Sequence, residues 1–427
     1  MKARLIVLPL VAAAAVALGG AATTIGAHAR SAGTPDSFVA DWDLIAQQAY
    51  VAANWTVPEG HELFAYMTIA VYDSVMAIDG GYRPFLVDVR AQGDTSEEAA
   101  VAAAAHEVLV HYLPTLQTPF LDTAYATSLA KIADGPAKAN GEALGKAVAD
   151  VLLTVRANDG FRNFKPYTPP NPPIPGVWLP TAPTPPAGTF LPDMRPFSLD
   201  TADQFRPDGP PALSTKKWAR DYNEVKEIGS STSTTRTPEQ TLAARFWAEA
   251  PIQQLHATLR RFIGEHELDV VDAARFMAMV GVVIGDAQIA CYEAKYHFAF
   301  WRPITAIRAG DTDGNDDTDV DASWSTLLAA TPNHPEYPSA HACLTPAAGK
   351  VVARFLGTGK IDYTVVSVSN PSLGNRTFEH VKDLEYEVTN ARIWGGIHYR
   401  SSVEDGTKLG LQVADYVLAH DFQKTHE

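Results

Sequence analysis

At 427 residues, with 46% apolar and 19% charged side chains, the chain has the composition of a folded globular protein, not of a disordered or fibrous one. Its formal charge of −15 and pI near 5.3 exclude a nucleic-acid partner, which needs a basic face, and no Lys/Arg block supplies one. The length allows one large domain or two to three ordinary ones.

In chain order, residues 1–29 read first as a targeting segment. MKAR is followed by the apolar run LIVLPLVAAAAVALGG and the small-x-small triplet Ala27-His28-Ala29, the pattern of a cleaved signal peptide. Its removal takes away Lys2 and Arg4 and no acid, lowering the formal charge from −15 to −17. Residues 30–427 are then expected to form an exported, single large helical domain. No later stretch approaches the ~18 apolar residues of a spanning helix, so integral membrane association is not expected.

Residues 38 to 80 show apolar side chains at helical spacing. Thr95 and Glu98 offer a capping box ahead of AAVAAAAHEVLVHYL, and a further helix is expected from about Pro136 to Arg156. Residues 165–213 are rich in proline, which forbids helix interiors. The interspersed Trp178, Leu179, Phe190, Leu191 and Phe197 indicate a packed loop, because a flexible linker is poor in aromatics. Helical pattern resumes at TPEQTLAARFW and DVVDAARFMAM. The segment YTVVSVS, 363 to 369, is the one candidate strand. The fold class expected is all-α, a helical bundle with long irregular loops.

The acidic run DTDGNDDTDVDA lacks the glycine and the bidentate Glu that a calcium loop of the helix–loop–helix kind requires, and reads as a solvated loop. Cys291 and Cys343 could pair in an oxidising compartment or remain as buried thiols.

Three stretches between residues 290 and 410 concentrate cations and imidazoles. In KYHFAFWRP, Lys295 and Arg302 are seven residues apart, two helical turns, and would share a face if one helix carried both. In HPEYPSAH, His334 and His341 flank Ser339, which falls at an N-cap position where backbone amides and a hydroxyl could cradle an anion. In RIWGGIHYRSSVE, Arg392 and His398 bracket Gly395-Gly396, which permits close approach of backbone or ligand. Ser401 and Glu404 there suggest a capping box for the last helix. Each stretch alone reads more simply as ordinary surface or capping structure. Together they supply charge neutralisation, neutral donors and two imidazoles, the ingredients of a tetrahedral oxyanion site.

The order Lys-x6-Arg-Pro, Pro-Ser-x-His, Arg-x5-His resembles the three-part signature of the vanadium-dependent haloperoxidases, within a superfamily that also holds type 2 phosphatidic acid phosphatases and bacterial acid phosphatases. FWRPITAIR, HPEYPSAH and GIHYR look most like the bacterial, secreted type. The resemblance implies vanadate as cofactor, with His398 as its axial imidazole and Lys295, Arg302, Ser339, Arg392 and the amide of Ala340 binding its oxygens. It implies His341 as acid/base toward hydrogen peroxide, with Lys295 polarising the bound group. His334 stands where bromide-oxidising members have histidine, which favours bromide over chloride as the halide. Hydrogen peroxide, halide and a small organic substrate are the implied partners, and a homo-oligomer is compatible with the pattern. Two departures stand out: the family's usual glycine is Ala340, and the serine that often precedes the third-motif arginine is absent, with Asn390 and Ala391 there instead. Two other readings of the site remain open. Phosphate in place of vanadate would make a soluble acid phosphatase with a phosphohistidine at His398, and a catalytically silent relative would only bind an anion.

Overall fold

The computed structural model describes residues 37–425, so residues 1–29, read as a signal peptide, lie outside the described residues. The helices are α1 (Phe38–Ala52), α2 (Val57–Asp79), α3 (Glu97–Tyr112), α4 (Asp122–Leu129), α5 (Pro136–Arg156), α6 (Lys216–Ile228), α7 (Pro238–Phe246), α8 (Pro251–Glu265), α9 (Val270–Phe298), α10 (Pro303–Arg308), α11 (Ala340–Leu356), α12 (Val381–Trp394) and α13 (Arg400–His420). One antiparallel hairpin pairs β1 (Lys360–Val365) with β2 (Arg376–His380). The protein is thus mostly helical, with long irregular connections, as its apolar periodicity implies.

Helices α2 and α9 pack together at the centre. Both are buried on nearly every face, Pro58 to Ala77 in α2 and Ala273 to Lys295 in α9 save Arg275, as expected of helices that are apolar all round. Helices α3 and α5 pack on the α2 side, and α11 and α13 on the α9 side. This arrangement brings all three motif-bearing segments to one end of α9.

Several local expectations are corrected. The α3 cap is Ser96, whose side chain accepts from Ala99 N, not Thr95. Ser401 lies inside α13, where its hydroxyl donates to Asp221, so it forms no capping box with Glu404. Helices α6 and α12 go unmarked by the sequence pattern: α6 is mostly charged, with its apolar Trp218, Tyr222 and Val225 on one narrow stripe. In the acidic run, Asp313 is buried and accepts from Trp218 Nε1 and Thr318. Among the described residues no group of His, Cys, Asp or Glu side chains is arranged to hold a metal ion. Cys291 and Cys343 are free, buried thiols with their sulfurs 2.9 Å apart.

The proline-rich segment packs as a brace. Trp178, Phe190 and Leu191 are fully buried. Trp178 N donates to Ala299 O (2.7 Å) and Trp301 N to Gly176 O (3.0 Å), while Ala187 N donates to Asn333 O (2.9 Å). One loop therefore holds both the end of the first motif and the start of the second.

Candidate anion site

The first motif does not lie on one helix. Helix α9 ends at Phe298, Ala299 takes a left-handed conformation (φ 45°), and Arg302 is the N-cap of the separate α10, with Pro303 in its first turn. Lys295 and Arg302 converge because the chain reverses between them, not because they share a helical face. Phe300 O accepts from Glu336 N (2.9 Å), which ties this turn to the second motif.

Lys295 is fully buried and donates to Pro335 O and Glu336 O (3.0 Å each) and to Pro338 O. Arg302, also fully buried, donates through Nε to His334 O (3.0 Å), through Nη1 to Ile397 O (3.0 Å) and His398 Nε2 (3.2 Å), and through Nη2 to His334 Nδ1 (3.0 Å). Arg392 donates to Trp247 O (2.6 Å), and its Nε has no partner. Ser339 caps α11 by position, yet its hydroxyl makes no capping bond and is likewise buried without a partner. Ala340 is the first residue of α11, where the ordinary helical conformation applies, so the backbone there makes no demand for glycine.

In the third motif, Gly396 adopts φ 80°, and a Cβ there would come within 2.4 Å of Gly229 O. The glycine pair thus serves close backbone approach, bringing the end of α6 against the turn that presents His398. The His398 Nδ1–H donates to Glu336 Oε1 (2.8 Å), which also accepts from Tyr399 N (3.0 Å). Glu336 is a site residue that the sequence reading passed over; it lies between two singled-out histidines, but only the fold sets it against His398. With the proton held on Nδ1, the Nε2 lone pair points toward Arg302.

Burial governs the charges. It pulls Lys295 down to about 8, Arg302 to about 10 and Arg392 to about 9, and raises Glu336 to about 7. His334, His341 and His398 all fall well below the ordinary imidazole value, first through burial and then through neighbouring cations: Lys295 beside His334, Arg392 beside His341 and Arg302 beside His398. All three imidazoles are neutral near pH 7. Among the described residues none of the three cations has a carboxylate within ion-pair distance, and the one acid in the cluster, Glu336, bonds to His398 instead. A buried excess of positive charge with two unpartnered donors calls for an anion. Vanadate and phosphate both fit this donor set.

A cavity of about 490 Å³ opens beside the cluster, and His334, Ala340, His341, Arg392 and His398 contribute to its wall. Lys295, Arg302 and Ser339 sit behind that wall. All the residues singled out from sequence therefore gather in one place, in two layers.

Residues 275–426 match the model of the VCPO second helical-bundle domain. The chain is a relative of the vanadium haloperoxidases. It is 28% identical over 234 residues to vanadium chloroperoxidase of Curvularia inaequalis, a match covering 44% of this chain and 38% of that protein; it thus spans about two fifths of the curated relative. Among solved structures, a bacterial vanadium-dependent iodoperoxidase superposes with a TM-score of 0.78 at 23% identity, covering 92% of this chain and 98% of that one. An apo-type bacterial vanadium-dependent chloroperoxidase gives 0.66 at 17% identity, covering 84% and 91%. These two likenesses establish the haloperoxidase fold. Among the described residues no helix is long and apolar enough to cross a membrane.

Proposed function

We propose that this protein is a vanadate-dependent haloperoxidase that oxidises a halide, bromide in preference to chloride, with hydrogen peroxide. The observation that carries the reading is the set of three buried cations, without ion-pair partners among the described residues, around a neutral imidazole held by a carboxylate. Vanadate, when bound, supplies the electrophilic centre that activates hydrogen peroxide toward a halide. His398 would offer the anion its Nε2 lone pair, which accepts from Arg302 Nη1 in this structure, and Glu336 keeps the proton on Nδ1. Arg392 and the Ala340 amide on the cavity wall, with Arg302, Ser339 and the carbonyl-held Lys295 behind it, would neutralise and orient the anion's oxygens. His341, neutral and on the cavity wall, accepts the proton of incoming peroxide as general base. His334, held by Arg302, favours bromide. The leader-like residues 1–29 support export.

The test uses purified protein with orthovanadate, peroxide and bromide, reading bromination of a phenolic dye, alongside p-nitrophenyl phosphate hydrolysis without vanadate. Bromination abolished by His398→Ala is expected. Hydrolysis without bromination would replace the reading with a phosphatase, and neither activity would leave an anion-binding protein.

A further inference from the structure

Halide and peroxide are small and hydrophilic, and neither needs the cavity beside the anion site. Its 490 Å³ falls in the range of pockets for organic ligands. The rest of the wall is largely apolar and aromatic: Leu255, Ile284, Leu344 and Tyr363, with Tyr292 beside Lys295 and Trp247 beside Arg392 where it meets the cations. These come from five different segments, α8, α9, α11, β1 and the turn after α7, so the space is shaped by the fold and not left by one loose loop.

A polar group also belongs to this wall. His61, on α2, lies between this cavity and a smaller one beside Phe64 and His256; its ring is only 4% exposed, and its enclosed Nδ1 has no hydrogen-bond partner among the described residues. The nearby Gln288 and Gln254 amides are already committed to Pro58 O and Phe246 O. A buried ring nitrogen without a partner costs free energy unless a ligand completes it. His61 stands within electrostatic reach of His341 but has no role in the activity proposed above.

We infer that this cavity binds the organic acceptor itself, a neutral aromatic or apolar molecule bearing one hydroxyl, with the hydroxyl on His61 and the ring against the Leu255–Ile284–Tyr292 wall. The inference rests on the haloperoxidase reading and names the substrate class of that site. The acceptor then lies between the anion site and solvent. Hypohalous acid formed there meets a ring carbon before it escapes: the new carbon–halogen bond forms, the ring proton is lost, and the departing hydroxide takes it up as water. Halogenation becomes selective for what the cavity holds.

The probe is 2-naphthol, with its charged analogue 6-hydroxynaphthalene-2-sulfonate as comparison. Binding is measured by titration calorimetry without peroxide, and halogenation by competition between the two in one reaction. Wild type should bind 2-naphthol and favour it at least tenfold over the sulfonate, relative to free hypobromite. Leu255→Trp, which fills the cavity from a half-buried position, should weaken binding at least tenfold and bring the product ratio to that of free hypobromite. His61→Leu, which adds no bulk, should weaken binding several-fold, and melting curves show whether each variant is folded. Absence of 2-naphthol binding by wild type, or both folded variants binding like wild type, overturns the inference. Binding without any halogenation would overturn the haloperoxidase reading while leaving the cavity assignment standing.

Discussion

Single atoms decide how the anion site is built. Ser339 Oγ and Arg392 Nε are buried donors without partners, and an uncompensated buried donor costs about 1–3 kcal/mol. Ser339→Ala should therefore raise the melting temperature of the anion-free protein while weakening orthovanadate binding, two shifts of opposite sign. Calorimetry and thermal melts on one preparation check both; a loss of stability without loss of affinity would assign Ser339 a capping role instead. Glu336 is the counterpart on the imidazole side. Glu336→Ala leaves Tyr399 N without an acceptor and His398 Nδ1 with only the long contact to Ser402 Oγ (3.4 Å), and such buttressing groups are worth roughly 10- to 100-fold in affinity or activity. Orthovanadate affinity and bromination should both fall by that order. Glu336→Gln, whose amide oxygen still accepts, should restore much of the loss.

Elements explain what the sequence could and could not reveal. The helices α2, α5 and α9 were legible because their apolar residues repeat at helical spacing over many turns. Helix α12 was not, because its first half is polar, with Leu384 alone buried ahead of the last turns, Val388 to Trp394. The cations and imidazoles were legible by type and order, yet their layering was not: a seven-residue spacing suggested one helical face, whereas a left-handed Ala299 breaks the helix. That break has a cost, since a residue with a Cβ in the left-handed region is disfavoured by about 1 kcal/mol relative to glycine. Ala299→Gly should raise unfolding stability by about 1 kcal/mol, read from denaturant midpoints. Bromination should stay unchanged, because Trp178 N and Ala299 O still fix the turn. A large loss of activity would mean that the methyl group itself positions Arg302. Glu336 and His61 were illegible for a different reason: each gains its meaning from a partner or a cavity assembled from segments far apart in the chain.

At the scale of the whole molecule, buried titratable groups of both kinds are folded into one core, and their pH dependences oppose one another. Asp73 and Glu336 are each raised to about 7 by burial, so the folded state holds their protons more tightly than the unfolded state, and the stability they contribute is lost as pH rises toward 7. Burial, and secondarily His256, lowers His61 to about 3. Below its unfolded value near 6.5 the unfolded chain binds a proton that the folded state refuses, so stability falls as pH drops from 6.5 toward 3. With these slopes opposed, the overall pH–stability curve cannot isolate any one group, but a difference between two proteins can. His61→Leu removes one titration and leaves the others in place. Relative to the variant, the wild type should lose on the order of 3 kcal/mol between pH 6.5 and 4.5, at 1.36 kcal/mol per unit, measured as diverging urea midpoints. Parallel curves would mean that His61 takes up its proton alike in the folded and unfolded chain, so that its ring is solvated and not the buried, dry partner of a hydroxyl in the cavity.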